Sequence, residues 1–311
     1  MLAFVVKERQ MNIQRSCPKC DIYSPLVKNG KSLKGAQRYR CTSCKKTFVL
    51  DESSTKHLHT SDYFFKKFVG YMIDDVTLEV ISRNLNINIK TAHYYRYLVF
   101  HALSDYQSEV RMGGTILIDE TFVSIREKQY KIYRDDGKDI RGLSFNQLCV
   151  ITLINLQGIS LAKVSSRAMA LPEHYKILFN SNIHHPNLFI HDGNPKQVQF
   201  MNQFKCEKIN ARKDQTEMYS TDIIDSYHSN MKRYLFKHAG HRLKYLQYYL
   251  NFFVFRQNYL AQNDIKNMRH QLEVKNRMCD DLMLRVKRIK KSITYQTYLK
   301  DEGITDILEN R

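Results

Sequence analysis

Two sets of residues in this chain have types and spacings that chemistry can use. The first is sulfur. Cys17 and Cys20 form a C-x-x-C pair in CPKC, and Cys41 and Cys44 form a second pair in CTSC, with twenty residues between them. Each pair can turn two thiolates toward one point, and two pairs complete a tetrahedral site for one structural zinc ion with no open coordination position. The second set is oxygen. Asp119 follows the apolar run ILI, Asp192 closes the run LFIHD, and Asp225 lies in IIDSYHSNMKR. Singly, these acids read as a strand-end charge, a turn residue before Gly193 and a helix-surface charge. Carried together by a strand, a later strand and the following helix, they form a candidate site for hard divalent cations. Two such ions, Mg2+ or Mn2+, flank the attacking and leaving oxygens of an in-line phosphodiester displacement and offset repulsion among the carboxylates.

The surrounding patterns say which elements must hold these groups. A helix over 221–238 puts Asp225, His228, Ser229 and Lys232 on one face and Ile224, Tyr227, Met231 and Leu235 on a core-facing stripe. Lys232 and Arg233 then stand where a DNA phosphate beside the reacting bond would pass, with His228 and Ser229 as hydrogen-bonding supports. Asp222, one turn earlier, is a competing third acid that also reads as a favourable first-turn charge. Glu120 neighbours Asp119 but points to the opposite face of the strand.

TILIDETFVSI (115–125), QLCVITLIN (147–155) and ISLAKVSSRAM (159–169) are three sequential strands, preceded by a break at Gly113-Gly114. Shorter runs at 188–194 and 205–212 alternate with helices, and the whole is a mixed α/β sheet. The charged segment 126–146 is a loop or insertion. Residues 61–104 read as three helices, the last two with the proportions of a helix-turn-helix. Asn88 caps the third helix, and Lys90, Thr91 and Tyr94, with His93, are its exposed early positions for phosphate and base-edge contact. LKYLQYYLNFFVFRQNYL (243–260) is an apolar helix whose Asn and Arg residues point to a protein core rather than a membrane. The last fifty residues are helical, with Leu282, Val286, Ile289 and Ile293 on one side and KRIKK (287–291) largely on the other.

Forty-nine basic against 31 acidic residues give the 311-residue chain a net charge of +18, concentrated in residues 1–60 and 226–311. Such a balance calls for a polyanionic partner, nucleic acid foremost. No apolar run is long enough to span a bilayer. Seven cysteines without a secretory leader indicate a reducing, cytoplasmic compartment, with Cys149, Cys206 and Cys279 as buried apolar residues.

Over residues 12–260 the chain resembles insertion-sequence transposases with an N-terminal zinc ribbon and an RNase H-like DDE catalytic domain. The resemblance is carried, in the family's order, by CPKC…CTSC, IDETF, RGLSFNQLCVITLI (141–154), HDGN, DSYHSNMKRYL and KYLQYYLNFFVFR. It implies a multidomain protein: zinc ribbon 12–52, helix-turn-helix domain 60–108, RNase H-like catalytic domain 113–260, then a helical basic tail 261–311 outside the resemblance. It further implies that Asp119 and Asp192 are the first two catalytic acids. Asp225 matches the third, where the family usually has Glu or Asn, and Lys232 matches the lysine seven residues on. The expected cofactors are one structural Zn2+ and two catalytic Mg2+ or Mn2+. The expected partner is double-stranded DNA, both element ends and target, handled by a homodimer or larger assembly at the nucleoid. The implied reaction is hydrolysis at the element end followed by strand transfer. The alternatives are a transposase-derived DNA-binding or regulatory protein without catalysis, and a nuclease acting on RNA or hybrids.

Overall fold

The computed structural model describes residues 20, 26–32, 37–49, 60–138, 140, 142–213, 220–238, 242–263, 267–289 and 293–309. The N-terminal part is a small antiparallel sheet of β1 (Leu26–Lys31), β2 (Gln37–Cys41) and β3 (Thr47–Val49). Helices α1 (Asp62–Ile73), α2 (Leu78–Asn84), α3 (Ile89–His101) and the short α4 (Tyr106–Glu109) follow. Ser61 and Asn88 cap α1 and α3, their side chains accepting from the amides of Phe64 and Lys90.

The central sheet has the order β6-β5-β4-β7-β8. Strands β4 (Met112–Ser124), β5 (Gln147–Asn155) and β6 (Ser160–Arg167) form an antiparallel meander, while β7 (Ile183–His191) and β8 (Glu207–Asn210) run parallel to β4. Helices α5 (Pro172–Phe179) and α6 (Pro195–Met201) connect the later strands. Period-two alternation sorts the sheet into two faces. Ile116, Ile118, Ile151 and Phe189 pack with α5 and α6, whereas Leu117, Val150, Val164 and Ile190 pack toward the other helices. That second face is covered by α7 (Asp222–Lys237) and α8 (Leu246–Ala261), with α9 (Met268–Arg288), α10 (Tyr295–Lys300) and α11 (Thr305–Glu309) completing the chain.

The glycine pair 113–114 lies inside β4 rather than before it. A side chain at Gly113 would run into the carbonyl of His184, and Gly114 takes φ +72 where the β4–β7 register shifts. Segment 126–146 is clipped to the sheet edge by Asn146, whose side chain donates to Ile132 O (2.6 Å) and accepts from Ile132 N (2.7 Å). The asparagines of α8 are core ligands to backbone. Asn258 accepts from Ser160 N at 2.7 Å and donates to Ser160 O at 3.0 Å, which satisfies an otherwise apolar seam. Among the described residues, no helix is long and apolar enough to cross a membrane.

Two expectations need correction. The helices of 60–108 do not form a separate core: Phe65, Phe68, Tyr95 and Leu98 belong to one continuous hydrophobic cluster with α7, α8, α9 and the sheet. Helix α1 lies antiparallel to α9, as the pairs Lys66–Asp280, Lys275–Asp74 and Lys287–Asp62 show. Nor do the described residues beyond 261 behave as a tail. Helix α9 ends at Arg288, so Ile293 lies on the next segment, where it is buried. The buried Arg167 guanidinium donates to Leu308 O, Phe145 O and Tyr130 O at 2.6–2.7 Å, tying α11 to β6. Asp301 accepts from the hydroxyls of Tyr97 (2.6 Å) and Tyr248 (2.7 Å), tying the α10–α11 turn to α3 and α8. Lys290 and Lys291 lie outside the described residues.

Gly303 closes this turn at φ +56, with the next amide, Ile304 N, donating to Lys244 O at 2.8 Å; a Cβ at Gly303 would collide with that same carbonyl. Gly303→Ala should therefore destabilise the protein by about 1–3 kcal/mol. Thermal melting and limited proteolysis after residue 293 would read this, and an unchanged melt would show that the turn is not the clamp.

Candidate functional site

Asp119 and Asp225 come together because α7 lies against the face of the sheet at its central strand, β4. Asp119 shares the parity of Leu117 and so looks toward α7. Glu120 looks the other way, where both its oxygens accept from Asn194 Nδ2 at 3.0–3.1 Å. Asp225 is exposed in the first turn of α7, and its carboxylate accepts from the Thr221 hydroxyl at 2.8 Å. His228, one turn on, is buried. Ligand atoms of Asp119, Asp225 and His228 all lie within 4.8 Å of one another. Asp192 follows β7 and stands outside that group. One of its oxygens accepts from Asn194 N (3.1 Å), and the other pairs with Arg212 Nη2 (2.9 Å), a side chain that is 74% exposed.

Helix α7 is fixed over the sheet from its far end. Asp75, in a left-handed turn at φ +59, takes His238 Nε2 (2.9 Å), Lys237 Nζ (3.0 Å) and Arg256 Nη1 (3.5 Å). Burial works against the Asp75 carboxylate, but the bonds from His238 and Lys237 outweigh it and hold its pKa below the usual value.

The electrostatics of the acid group are those of a site short of positive charge. Burial, then the charges of Asp192, Glu120 and Asp225, push Asp119 up to about 7. Burial and the nearby Lys232 push His228 down to about 4, so its imidazole is neutral at physiological pH. The 3.7 Å between His228 Nδ1 and Asp119 Oδ2 is thus neither an ion pair nor a hydrogen bond. His228 Nε2 is buried with no hydrogen-bond partner among the described residues. Two carboxylates and a neutral imidazole, with burial and then the neighbouring acids favouring the protonated form of Asp119, suit a divalent cation. Such an ion would favour the ionised form of Asp119 and accept the imidazole lone pair.

Lys232 stands two turns beyond Asp225, on a cleft of about 950 Å³ that also takes in Arg126, Arg242 and Phe236. Arg233 is exposed on α7. Lys90 is exposed and Thr91 partly so, but Tyr94 is not an open reading position: its hydroxyl donates to Ile293 O at 2.5 Å and its ring meets Tyr295. His93 is half-buried beside Arg96 Nη2 at 3.2 Å. The returning C-terminal segment, invisible to local pattern, is the reason. His228, Asn194 and Arg212 carry more of the site than their sequence contexts indicate. For His228 a signal was present: it sits one helical turn from Asp225, a spacing that lets two side chains share one ion.

At the other end of the chain, Cys20, Cys41 and Cys44 bring their sulfurs within 4.8 Å of one another, with Cys20 Sγ 3.9 Å from Cys41 Sγ. Cys17 lies outside the described residues. The second pair forms a tight knuckle: Cys44 N approaches Cys41 Sγ at 3.5 Å, Lys45 N donates to Cys41 O, and Lys45 takes φ +59. Amides turned toward clustered sulfurs suit thiolates held on a zinc ion, and the donor set fits structural Zn2+.

A family model described as the InsA N-terminal domain, a zinc ribbon, matches residues 12–45. The N-terminal segment is therefore a zinc ribbon of the kind found in insertion-sequence proteins, which indicates DNA as the partner. No solved structure matches the chain.

Proposed function

We propose that this protein is an insertion-sequence transposase whose acids Asp119, Asp192 and Asp225 serve metal-dependent phosphodiester cleavage and strand transfer. The observation that carries the reading is the grouping of Asp119 and Asp225, from a central strand and a distant helix, with the buried imidazole of His228. The sheet order, with a central first strand flanked by an antiparallel and a parallel neighbour, supports an RNase H-like catalytic domain. The ribbon supports DNA as substrate.

In this reading Asp119, Asp225 and His228 hold one cation. Asp192 joins the site on exchanging Arg212, whose side chain is 74% exposed and free to return to solvent. Bound divalent cations supply charge stabilisation at the attacking and leaving oxygens of an in-line displacement. Lys232 and Arg233 bind the phosphates flanking the scissile bond. Water attacks phosphorus at the element end and the 3′-oxygen leaves as a hydroxyl; that hydroxyl then attacks target DNA, displacing another 3′-oxygen. No side chain becomes covalently attached. Mn2+ should serve at least as well as Mg2+, because an imidazole nitrogen is a poor ligand for Mg2+.

The test compares wild type with Asp192→Ala on labelled duplexes carrying candidate element ends, in Mg2+, Mn2+ and EDTA, with binding followed in parallel. Metal-dependent nicking that the variant loses while binding survives is the expected result. Binding without cleavage under either metal, on verified ends, would favour the second reading, a DNA-binding relic. The Arg212–Asp192 pair is the observation on that side.

A further inference from the structure

Between α3 and α10 lies a second cavity, of about 310 Å³, whose walls are mostly aromatic: Tyr97, Phe100, Tyr245, Tyr248 and Tyr298 among them. Its mouth is basic. Lys90, Arg96 and Arg242 line it, and no acidic side chain does among the described residues. Arg96 lies over the rings of Tyr249 (5.0 Å) and Phe100 (5.7 Å), cation–π contacts that hold its charge against the aromatic wall. Tyr295, at the rim, keeps 36% of its surface open. Arg242 also lines the larger cleft that takes in Lys232, so the two cavities share that arginine, with Glu127 and Glu302 among the other residues of the larger one.

Tyr97, Phe100 and Tyr245 are themselves buried, so the ring face left accessible is that of Tyr295, in a cavity that the exposed Lys90 and Arg242 also line. Stacked rings with fixed positive charge at the rim match a flat, apolar base joined to a phosphate. Duplex DNA hides its base faces, so the matching ligand is a nucleotide out of the stack. We propose that this cavity binds an unpaired nucleotide of the DNA, its base stacked on Tyr295 and its phosphates on Arg242 and Lys90. The proposal rests on DNA being the partner and assigns the site no part in bond cleavage.

The test uses the zinc-loaded full chain and two mixed-sequence DNAs, a blunt duplex and a forked duplex whose unpaired arm carries 2-aminopurine. The chain has no tryptophan, so the probe's emission is read without that background. The fork should bind about tenfold more tightly than the blunt duplex, with its emission quenched by stacking. Tyr295→Ala should remove both the preference and the quench while leaving blunt-duplex affinity unchanged, and Tyr295→Phe should keep both. Equal affinity for fork and blunt duplex, or a Tyr295→Ala variant that weakens both alike, would overturn the proposal and leave the DNA reading standing. Failure to bind either DNA would sink both.

Discussion

With Asp119 changed to Asn, the metal-free protein melts several degrees higher than wild type at pH 8, by much less at pH 5, and no longer gains stability from Mn2+. The sign follows from the direction of the shift. Burial and three neighbouring acids raise the folded-state pKa from 3.8 to about 7, so the folded protein holds this proton more tightly than the unfolded chain does. Stability from this group is complete at low pH and is lost as pH rises from about 4 to about 7. The full shift corresponds to roughly 4 kcal/mol, which an amide would recover because it carries no charge to bury. The same substitution removes a ligand, so metal-dependent cleavage should fall below detection while DNA binding persists. Differential scanning fluorimetry across pH, with and without Mn2+, reads the first part. Identical melts of wild type and variant at pH 8 would mean that Asp119 sits ionised and at ease without a cation, and the electrostatic argument for the metal site would fall.

Stripping zinc should have an effect as large at the other end of the molecule. Among the described residues the ribbon's own core is Cys41 and Phe48, far too little apolar surface to hold three short strands. Structural zinc contributes about 10–16 kcal/mol in comparable small modules. Chelation, or Cys41→Ser, should therefore unfold the ribbon and weaken DNA binding by orders of magnitude. The main thermal transition should stay in place, because the sheet and helices share none of the ribbon's core. Atomic absorption should return one zinc per chain before treatment and none after. A ribbon that keeps its amide dispersion in NMR after zinc removal would contradict this account.

What the sequence disclosed was what depends on neighbours along the chain. Alternation in ILIDE and QLCVITLIN marks strands because adjacent side chains must face opposite layers, and it separates Asp119 from Glu120 correctly. The stripe Ile224, Tyr227, Met231, Leu235 marks α7 for the same reason at helical period. What stayed hidden was contact over long separations through backbone acceptors. Arg167 reaches Leu308 O and Tyr94 reaches Ile293 O, and a carbonyl oxygen leaves no trace in residue type. That is why residues 293–309 read as an appendage and Tyr94 as an open position. His228 was placed on the right helix face, but a helical pattern does not tell what that face meets.

The shared core of α1–α3 with the sheet bears on how such a protein could acquire a new address. A module that contributes Phe65, Phe68, Tyr95 and Leu98 to the common interior cannot be swapped for a homologue without re-solving the packing around α7, and with it the placement of Asp225. Among the described residues the ribbon contributes nothing to that interior, so an exchange of the whole ribbon would leave the packing around α7 intact. Specificity in a lineage of such proteins would therefore travel by grafting at the ribbon, while α3 changes only by single surface residues such as Lys90.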